Sequence, residues 1–582
     1  MNDWLNYLNL ILIFTIFSVS LNLLLGYAGV LSSGQAALGA IGGYTSAWLA
    51  LEAGWNGWIA VAVGVVFAGA VGVLLAIPSL PLSAEYLILL TLVAGEAVLG
   101  IVVASPSFGG TLGLTGLPSS SILGFELSLP SDWVLPLLVF AAIVFLLCWR
   151  IGESPFGRVL RATRDDDRAA ASIGKHVFAY RLWVFGITAA MSGLGGGLLA
   201  LYLGVCSPSV YSFDVSMGIF AMVVLGGVGN LYGSVAGAVI VTLTTPILER
   251  ILPLPPETGS FIRIAIYGLV LILVIRFRPQ GLLPERHGRR ARPTPATAPP
   301  PEGLVEVVEE HQLPPDDGEL EPPPGLPAEG AILVTAGLSK SFGTVVAAEG
   351  LALRLPTGKI TALVGPNGAG KTTVFNLLTG YLRPDSGTVS LGGRDLAGMR
   401  PDEIAVNGLV RTFQDVRLWN GMSVLDNVAV AVPDQPGERL GPLFAPGRRI
   451  GVREEQVRER AREWLGYVGL EDHADELAGS LSYGESKLLS LARVMATEAP
   501  VVLLDEPVSG VDTAWAEAML SLIESMRESG RTICLVEHNL HVVDRLADHA
   551  YFMDLGRIVA EGSLSELTAS PELARTYFGI TR

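Results

Sequence analysis

The chain has 582 residues, 50% of them hydrophobic, and a mean hydropathy of +0.49, too apolar for a soluble protein of this size, so a large share of it belongs in a membrane. A formal charge of -16 excludes the basic face that nucleic-acid binding requires. The three cysteines, Cys148, Cys206 and Cys534, lie far apart with no CxxC spacing, which argues against a disulfide framework or a thiolate zinc site and leaves ordinary buried thiols.

The N-terminus is apolar from Trp4 onward, with no positive leading segment and no small-residue cleavage site. It reads as a first transmembrane helix and not as a removable signal peptide. Apolar runs broken by Gly, Pro and Ser continue to about residue 278. Since a bilayer needs about 20 apolar residues, the predicted spans are Leu5–Leu25, Gly26–Leu51, Trp58–Ile77, Glu85–Ala104, Trp133–Trp149, Arg181–Leu203, Ser216–Val228, Leu231–Leu248 and Phe261–Ile275. Two are short, so the expectation is about eight to ten spans.

Lys and Arg first occur at Arg150, and the stretch that follows holds Arg158, Arg161, Arg164, Arg168, Lys175 and Arg181. A second cluster, Arg276, Arg278, Arg286, Arg289, Arg290 and Arg292, follows the last span. Positive charge marks the cytoplasmic side. The even number of spans between the clusters returns the chain to that side, and five spans before Arg150 put the N-terminus outside.

Residues 279–330 are rich in proline and charge, and Pro301–Gly330 is acidic without Lys or Arg. Such a segment cannot bury enough apolar surface to fold and is predicted to be a disordered linker. About 50 flexible residues span about 40 Å on average, and prolines lengthen that reach. The tether is thus long enough that it need not dictate where the soluble domain docks. From Ala331 onward, short β-branched strands alternate with helical patterns, as in a soluble α/β domain. The predicted domains are therefore 1–278 in the membrane, 279–330 as linker and 331–582 as the soluble domain.

In the soluble part, strand Ile360–Val364 runs into Gly365, Pro366, Asn367, Gly368, Ala369, Gly370, Lys371, Thr372 and Thr373, which fits G-x-x-x-x-G-K-[ST]. Glycines let consecutive backbone N–H groups converge on phosphates, and the following helix adds its positive end. Lys371 would reach the β- and γ-phosphates, and Thr372 would hold Mg²⁺. Alone, the motif says only nucleoside triphosphate, and a chance glycine loop is the plain alternative. Val501–Leu504 is an apolar strand ending in Asp505 and Glu506, a carboxylate for the metal and one to polarise water, unless it is merely a core strand with acids at its end.

Between these motifs lies Leu481-Ser482-Tyr483-Gly484-Glu485 at the start of a helical pattern. Here the sequence resembles the ATP-binding-cassette family, over about 250 residues and with several motifs in the family's order. The resemblance implies an α/β P-loop ATPase with ATP and Mg²⁺ as ligands. It also implies that Leu481 to Glu485 form the signature, with Ser482 and Gly484 on the γ-phosphate of ATP held by a second cassette. Phe342 would stack on adenine. Gln414, in Arg411-Thr412-Phe413-Gln414, would touch Mg²⁺ and sense the permease. Asp505 would bind the metal, Glu506 would act on water, Asp512 would sit at the dimer seam and His538 would hold the γ-phosphate. Glu485 stands where glutamine is common, Ser486-Lys487 where basic residues are frequent, and Asn539 where an acid often follows the histidine.

The segment from Ser154 to Asp167, followed by Ala169–Gly174, predicts a short charged amphipathic helix on the cytoplasmic side, the part a permease seats in a cassette. A solvated charged loop is the alternative. Its expected coupling residues are Arg158, Arg161, Arg164 and Asp165. This stretch is similar to permeases of high-affinity branched-chain amino-acid importers. So are Gly26-Tyr27-Ala28-Gly29 with Leu31, Ser32 and Gly34, Thr91-Leu92 with Gly95-Glu96, Gly113–Pro118, and Met222–Gly229 with Gly233-Ser234. Asn230 departs from the more usual serine. In the cassette, Val410–Gln414 and Glu537–Asn539 carry the same likeness.

The resemblance implies a polytopic α-helical membrane domain fused to an ABC ATPase domain, in a bacterial inner membrane with the ATPase domain cytoplasmic. It implies ATP-driven uptake of a branched-chain amino acid, with a second permease, a second cassette and a solute-binding protein as partners. Urea or short amides are an alternative cargo, and an exporter half-transporter or a non-transporting cassette enzyme an alternative class. Short glycine-rich spans and the charged segment weigh against the exporter. Glu85 and Glu96 lie about three helical turns apart on one face. Glu96 is the candidate for lining the path, because an intramembrane carboxylate is costly unless it works. Ser207–Asp214 is expected to face outward toward the binding protein.

Overall fold

The computed structural model describes residues 2–118, 121–122, 125–251, short stretches between 262 and 285, 330–444 and 448–569. It divides into two compact units, residues 1–164 with 178–286, and residues 165–177 with 287–582. The predicted linker, apart from residues 280–285 and 330, falls outside the described residues, as do seven of the fifteen residues of the predicted span Phe261–Ile275.

In the first unit, α1 (Asn2–Asn22) widens into a π turn, Leu23–Tyr27. After it come α2 (Gln35–Leu51), α3 (Gly57–Ser79), α4 (Ala84–Ala104), α5 (Pro130–Gly152) and α6 (Pro155–Asp165). The chain then forms α7 (Asp167–Ser172), which belongs to the second unit, and returns with α8 (Val177–Leu203), α9 (Phe213–Gly226) and α10 (Leu231–Ile251). Among the described residues six helical segments are long and apolar enough to cross a membrane, and Leu231–Thr244 is a shorter apolar helix.

The predicted span Gly26–Leu51 is corrected. The chain leaves the helix at Ala28, passes Gly29 at φ +67° and re-enters it only at Gln35. Glycine's tolerance of positive φ lets the backbone break there. Two other boundaries also shift. α8 begins at Val177, ahead of Arg181, and α9 stops at Gly226 because Gly227 turns at φ +129°.

Lipid offers no hydrophobic drive between helices, so close backbone packing and buried hydrogen bonds hold this unit together. A Cβ on Gly42 of α2 would collide with the Gly193 backbone of α8, and one on Gly196 with that of Gly39. Beside that seam, buried Gln35 Nε2 donates to Ser20 Oγ (2.7 Å) and Ser192 Oγ (2.5 Å). Asn22 Nδ2 donates to the carbonyls of Gly227 (3.2 Å) and Asn230 (2.8 Å) and to Ser234 Oγ (2.7 Å), while its Oδ1 accepts from Gly229 N (2.8 Å). The two glycine motifs that the sequence singles out, around Gly26 and Gly226, therefore meet. Large apolar side chains such as Val66 and Leu135 are exposed on α3 and α5, as lipid-facing residues should be.

The second unit is a two-sheet α/β domain. Strands β1 (Ala331–Phe342), β2 (Val345–Leu351), β3 (Arg354–Pro356), β5 (Ser386–Leu391) and β6 (Arg394–Asp395) form an antiparallel sheet in the order β6-β5-β1-β2, with β3 also on β1. The other sheet joins β4 (Ile360–Val364), β7 (Leu409–Arg411), β8 (Val501–Asp505), β9 (Thr532–Val536), β10 (His549–Asp554) and β11 (Arg557–Gly562). Its order is β7-β8-β9-β4-β10-β11, parallel except for the last pair. Every residue of β4, β8 and β9 is buried, which is why these strands read as unbroken apolar runs. One buried cluster ties Leu333 and Val389 of the first sheet to Leu363 and Leu503 of the second and to Phe375 of α11 (Lys371–Leu378).

Candidate nucleotide and coupling sites

β4 ends at Val364, and the next nine residues form the loop and first turn of α11. Gly370 N-caps that helix at φ +104°, where a Cβ would strike the Ala347 carbonyl, so the backbone needs glycine here. Lys371 is buried, and its Nζ donates to the carbonyls of Gly365 (2.6 Å) and Pro366 (3.0 Å), folded over the loop it would share with phosphate. Burial pulls its ammonium below the ordinary range, against the opposing pull of Glu506 and Asp505. Thr372 is exposed at the start of the helix.

Parallel pairing of β8 between β7 and β9 delivers Asp505 and Glu506 to the same end of the sheet. Asp505 is buried, with Oδ2 accepting from Arg411 Nη2 at 3.2 Å. Arg411 is buried too, over the Phe413 ring at 4.7 Å, with Nη1 donating to Asn376 Oδ1 at 2.7 Å. Burial outweighs the pairing at both ends, moving the carboxyl up and the guanidinium down.

Glu506 has φ +48°, a left-handed backbone that is strained for a side chain of this kind. It is held from three directions. Its N–H donates to the Val536 carbonyl (3.0 Å), its own carbonyl accepts from Lys487 Nζ (2.9 Å), and its Oε2 accepts from Gln414 Nε2 (3.1 Å). His538 Nδ1 lies 3.8 Å from Oε1. The structure thus gathers Gln414, Glu506 and His538 at the mouth of the phosphate loop. Phe342 is half exposed, with Lys340 Nζ 5.8 Å over its ring and a face open to a base.

The signature opens α15 (Tyr483–Met495), counting α12 (Pro401–Val406), α13 (Val424–Ala429) and α14 (Arg448–Tyr467) before it. Ser482 N-caps the helix, with its Oγ accepting from Glu485 N (3.3 Å) while the Glu485 carboxylate accepts from Ser482 N (2.6 Å). Glu485 is buried and committed to this capping box, so its side chain is not offered to a partner's nucleotide; this corrects the expectation for that one residue. Tyr483 remains exposed, and Gly484 leaves room for the Trp515 ring. Asp512 Oδ1 accepts from Ala514 N and Trp515 N, both at 3.1 Å, and so caps α16 (Thr513–Glu528).

The charged segment divides at Arg164. α6 carries its arginines inward: Arg158 and Arg161 are buried, Arg161 Nη1 donates to the Gly152 carbonyl (2.8 Å), and Arg164 bonds to the Gly26 carbonyl and to Glu285 (2.9 Å). Arg161 and Arg164, expected as coupling residues, thus brace the first unit through carbonyls at the ends of α5 and α1. Residues 165–177 belong to the second unit. There Asp165 Oδ2 accepts from Gly421 N (3.2 Å), Asp166 Oδ2 from Arg417 (2.8 Å), and the Arg168 carbonyl from Tyr381 Oη (2.7 Å). Lys175 pairs with Glu438 at 2.7 Å. Of the four expected coupling residues only Asp165 stands here.

Glu96 is exposed on α4, on the stripe of Leu89 and Val93. Thr91 and Gly95 take the inward face and line a small apolar cleft with Ser32, Leu38, Leu75 and Phe185. Within this unit Glu96 does not line that cleft, because one helical step turns it away from Gly95.

The family model for the permease component of a branched-chain amino acid transport system matches residues 4–275, and that for ABC transporters matches residues 348–509. The high-affinity branched-chain amino acid transport ATP-binding protein LivG of Salmonella typhimurium is 38% identical over 251 residues, 43% of this chain and 98% of its own length. The chain belongs to the ABC transporters. BraF of Pseudomonas aeruginosa, which carries the same description as LivG, is 36% identical to the transporter's cassette over 251 residues, 43% of the chain and 98% of BraF. A probable LivG of Archaeoglobus fulgidus is 36% identical over 248 residues, 43% of the chain and 95% of that protein. A solved nucleotide-free ATP-binding cassette from an ABC transporter is 32% identical, with 43% of the chain and 100% of that structure covered and a TM-score of 0.37. The transporter therefore joins a permease and an ATP-hydrolysing cassette in one chain.

The sequence motifs give no separate role to Arg411, Lys487, Tyr381, Asn22 or Gln35. The last two were open to discovery, since a polar side chain inside an apolar span is a candidate for work. The others reveal their roles only once β7, β8 and α15 are packed.

Proposed function

We propose that this transporter imports branched-chain amino acids across a bacterial inner membrane, with its cassette in the cytoplasm. The observation that carries this reading is the gathering of Gln414, Glu506 and His538 at the phosphate loop, in a chain whose other half matches a branched-chain amino-acid permease. ATP would lie on Gly365 to Thr373 with adenine on Phe342, and Lys371 would exchange its two carbonyl partners for phosphate oxygens. Thr372, Asp505 and Gln414 offer the hydroxyl, carboxylate and amide oxygens that suit Mg²⁺. That ion, when bound, would offset charge on the transferring phosphoryl group.

Glu506, oriented by Gln414 and by the bonds on its backbone, takes the attacking water's proton, and His538 steadies the γ-phosphate. Ser482, Tyr483 and Gly484 complete the nucleotide site of a second cassette, with Leu481 behind them and Asp512 near the seam, so hydrolysis needs two cassettes. A second permease completes the membrane path. Glu96, an exposed carboxylate in a membrane helix, fits a path shared with that partner. A solute-binding protein delivers cargo.

The test reconstitutes the full chain with its partner subunits and adds a candidate solute-binding protein loaded with leucine or with urea. The reading expects leucine to stimulate ATP hydrolysis and urea to leave it at the basal rate. Stimulation by urea alone would replace the cargo, and transport out of the cytoplasmic side would remove the importer.

A further inference from the structure

α15 carries the signature at one end and Arg493 in its last turn at the other. Arg493 is 2% exposed, and its Nε and Nη1 have no hydrogen-bond partner. A dry, unpaired guanidinium is costly to keep and needs a compensating charge. Arg493 stacks on the Trp419 ring at 4.7 Å. Trp419 is fully buried and clamped by Asn427, which accepts from its N–H and donates to its carbonyl, both at 3.1 Å. The indole Nε1 then donates to the Asp166 carbonyl at 3.4 Å. Asp166 begins α7, its Oδ1 accepting from Ala169 N (2.9 Å) and its Oδ2 held by Arg417 (2.8 Å).

Asp166, whose carboxylate also holds Arg417, sets a negative charge against that burial, which still draws the guanidinium down to about 10. Asp166 lies in the short stretch of chain between two membrane-crossing helices, Pro130–Gly152 and Val177–Leu203. The second of these follows α7 within a few residues.

We propose that Asp166, Trp419 and Arg493 form a latch through which the 165–177 segment sets the position of α15, making Arg493 a positioning residue for the signature at Ser482 and Gly484. Displacing Asp166 strips the guanidinium of its compensating charge and frees the indole N–H. The rigid helix passes that change along its length to the end that meets a partner's nucleotide. Arg493 touches neither nucleotide nor water, so it acts on when the signature is in place and not on the bond that breaks.

This inference rests on the transport reading, and two measurements keep their failures apart. The first, amide hydrogen exchange of residues 165–177 in the full chain, involves no cargo. Asp166→Asn, Arg493→Met and Arg493→Lys are compared, the methionine keeping the stacking volume and the lysine the charge. Asn and Met should each speed exchange in this segment, and combining them should add nothing beyond the larger single effect. Lysine should restore protection in part.

The second measurement is ATP hydrolysis by the reconstituted complex. Asp166→Asn and Arg493→Met should leave the basal rate within about twofold and lower stimulation by a leucine-loaded binding protein about fivefold. Exchange effects that multiply, or a basal rate that falls with the stimulated one, overturn the latch. If Arg493→Met does not fold, Asp166→Asn carries the test, and unchanged exchange in it overturns the latch. Absence of leucine stimulation in the unsubstituted protein, with the exchange result intact, counts against the cargo alone.

Discussion

The two units solve the problem of burying polar groups in opposite ways. Along its long apolar helices the membrane unit buries neutral ones, such as Asn22, Gln35, Ser20 and Ser192, and satisfies them with neighbouring hydroxyls and carbonyls, keeping buried charge to Arg158 and Arg161 of the short α6. The cassette buries charges: Lys371, Arg411, Lys487, Arg493 and Asp505 all lie inside it. Phosphate chemistry needs charge in a dry place, where its field is strong. Helices in lipid need only close approach and no unpaired polar group. Substitutions should therefore fail differently in the two units.

The largest effect is expected in the cassette. Glu506→Gln should lower ATP hydrolysis by about 100-fold or more while ATP still binds, measured by phosphate release beside nucleotide binding. Unchanged hydrolysis would remove Glu506 from the chemistry. Next, Arg411→Ala leaves Asp505 buried without its partner and should cost about 3–5 kcal/mol, read as a lowered melting temperature of the cassette transition. Gly42→Leu, in the other unit, should force α2 and α8 apart for about 1–3 kcal/mol, lowering yield in membranes while cassette nucleotide binding persists. Loss of nucleotide binding there would mean that the units do not fail separately.

Asn22→Ala is milder, at about 1 kcal/mol, because hydrogen bonds in lipid are worth little more than in water. It should appear as faster amide exchange at residues 227–230. Smallest of all is Glu485→Gln. An amide oxygen can still accept from Ser482 N, so melting and hydrolysis should each stay near the original values. A marked loss would mean that the carboxylate has a second task.

The cassette site was largely legible in the sequence because phosphate binding fixes residue types at fixed spacing. Gly365 to Thr373 sit between β4 and α11 as the pattern requires, and an apolar strand carries Asp505 and Glu506 to its end. What eluded reading depended on partners distant in sequence. Lys487 gives no hint that it holds the Glu506 carbonyl, nor Glu485 that it closes a helix cap.

The membrane unit was legible only as a series of spans. Hydropathy measures length and polarity, so it joined Gly26–Leu51 across a break that Gly29 makes, and it could not tell that buried carbonyls claim Arg161 and Arg164. Charge alone suggested a docking face, whereas the structure turns Arg161 inward and gives Asp165, Asp166 and Lys175, just after it, partners at Gly421, Arg417 and Glu438. Glu96 marks the same limit: a carboxylate in a span announces a task, whereas its direction depends on which face Gly95 and Thr91 occupy.

The most direct measurement is the direction of transport in proteoliposomes holding the full chain and its partner subunits, with ATP supplied only on the cassette side. Leucine should cross toward that side when its binding protein is present opposite, and Glu506→Gln should abolish the flux. Movement of leucine away from the cassette side, or uptake that persists in Glu506→Gln, would contradict the account.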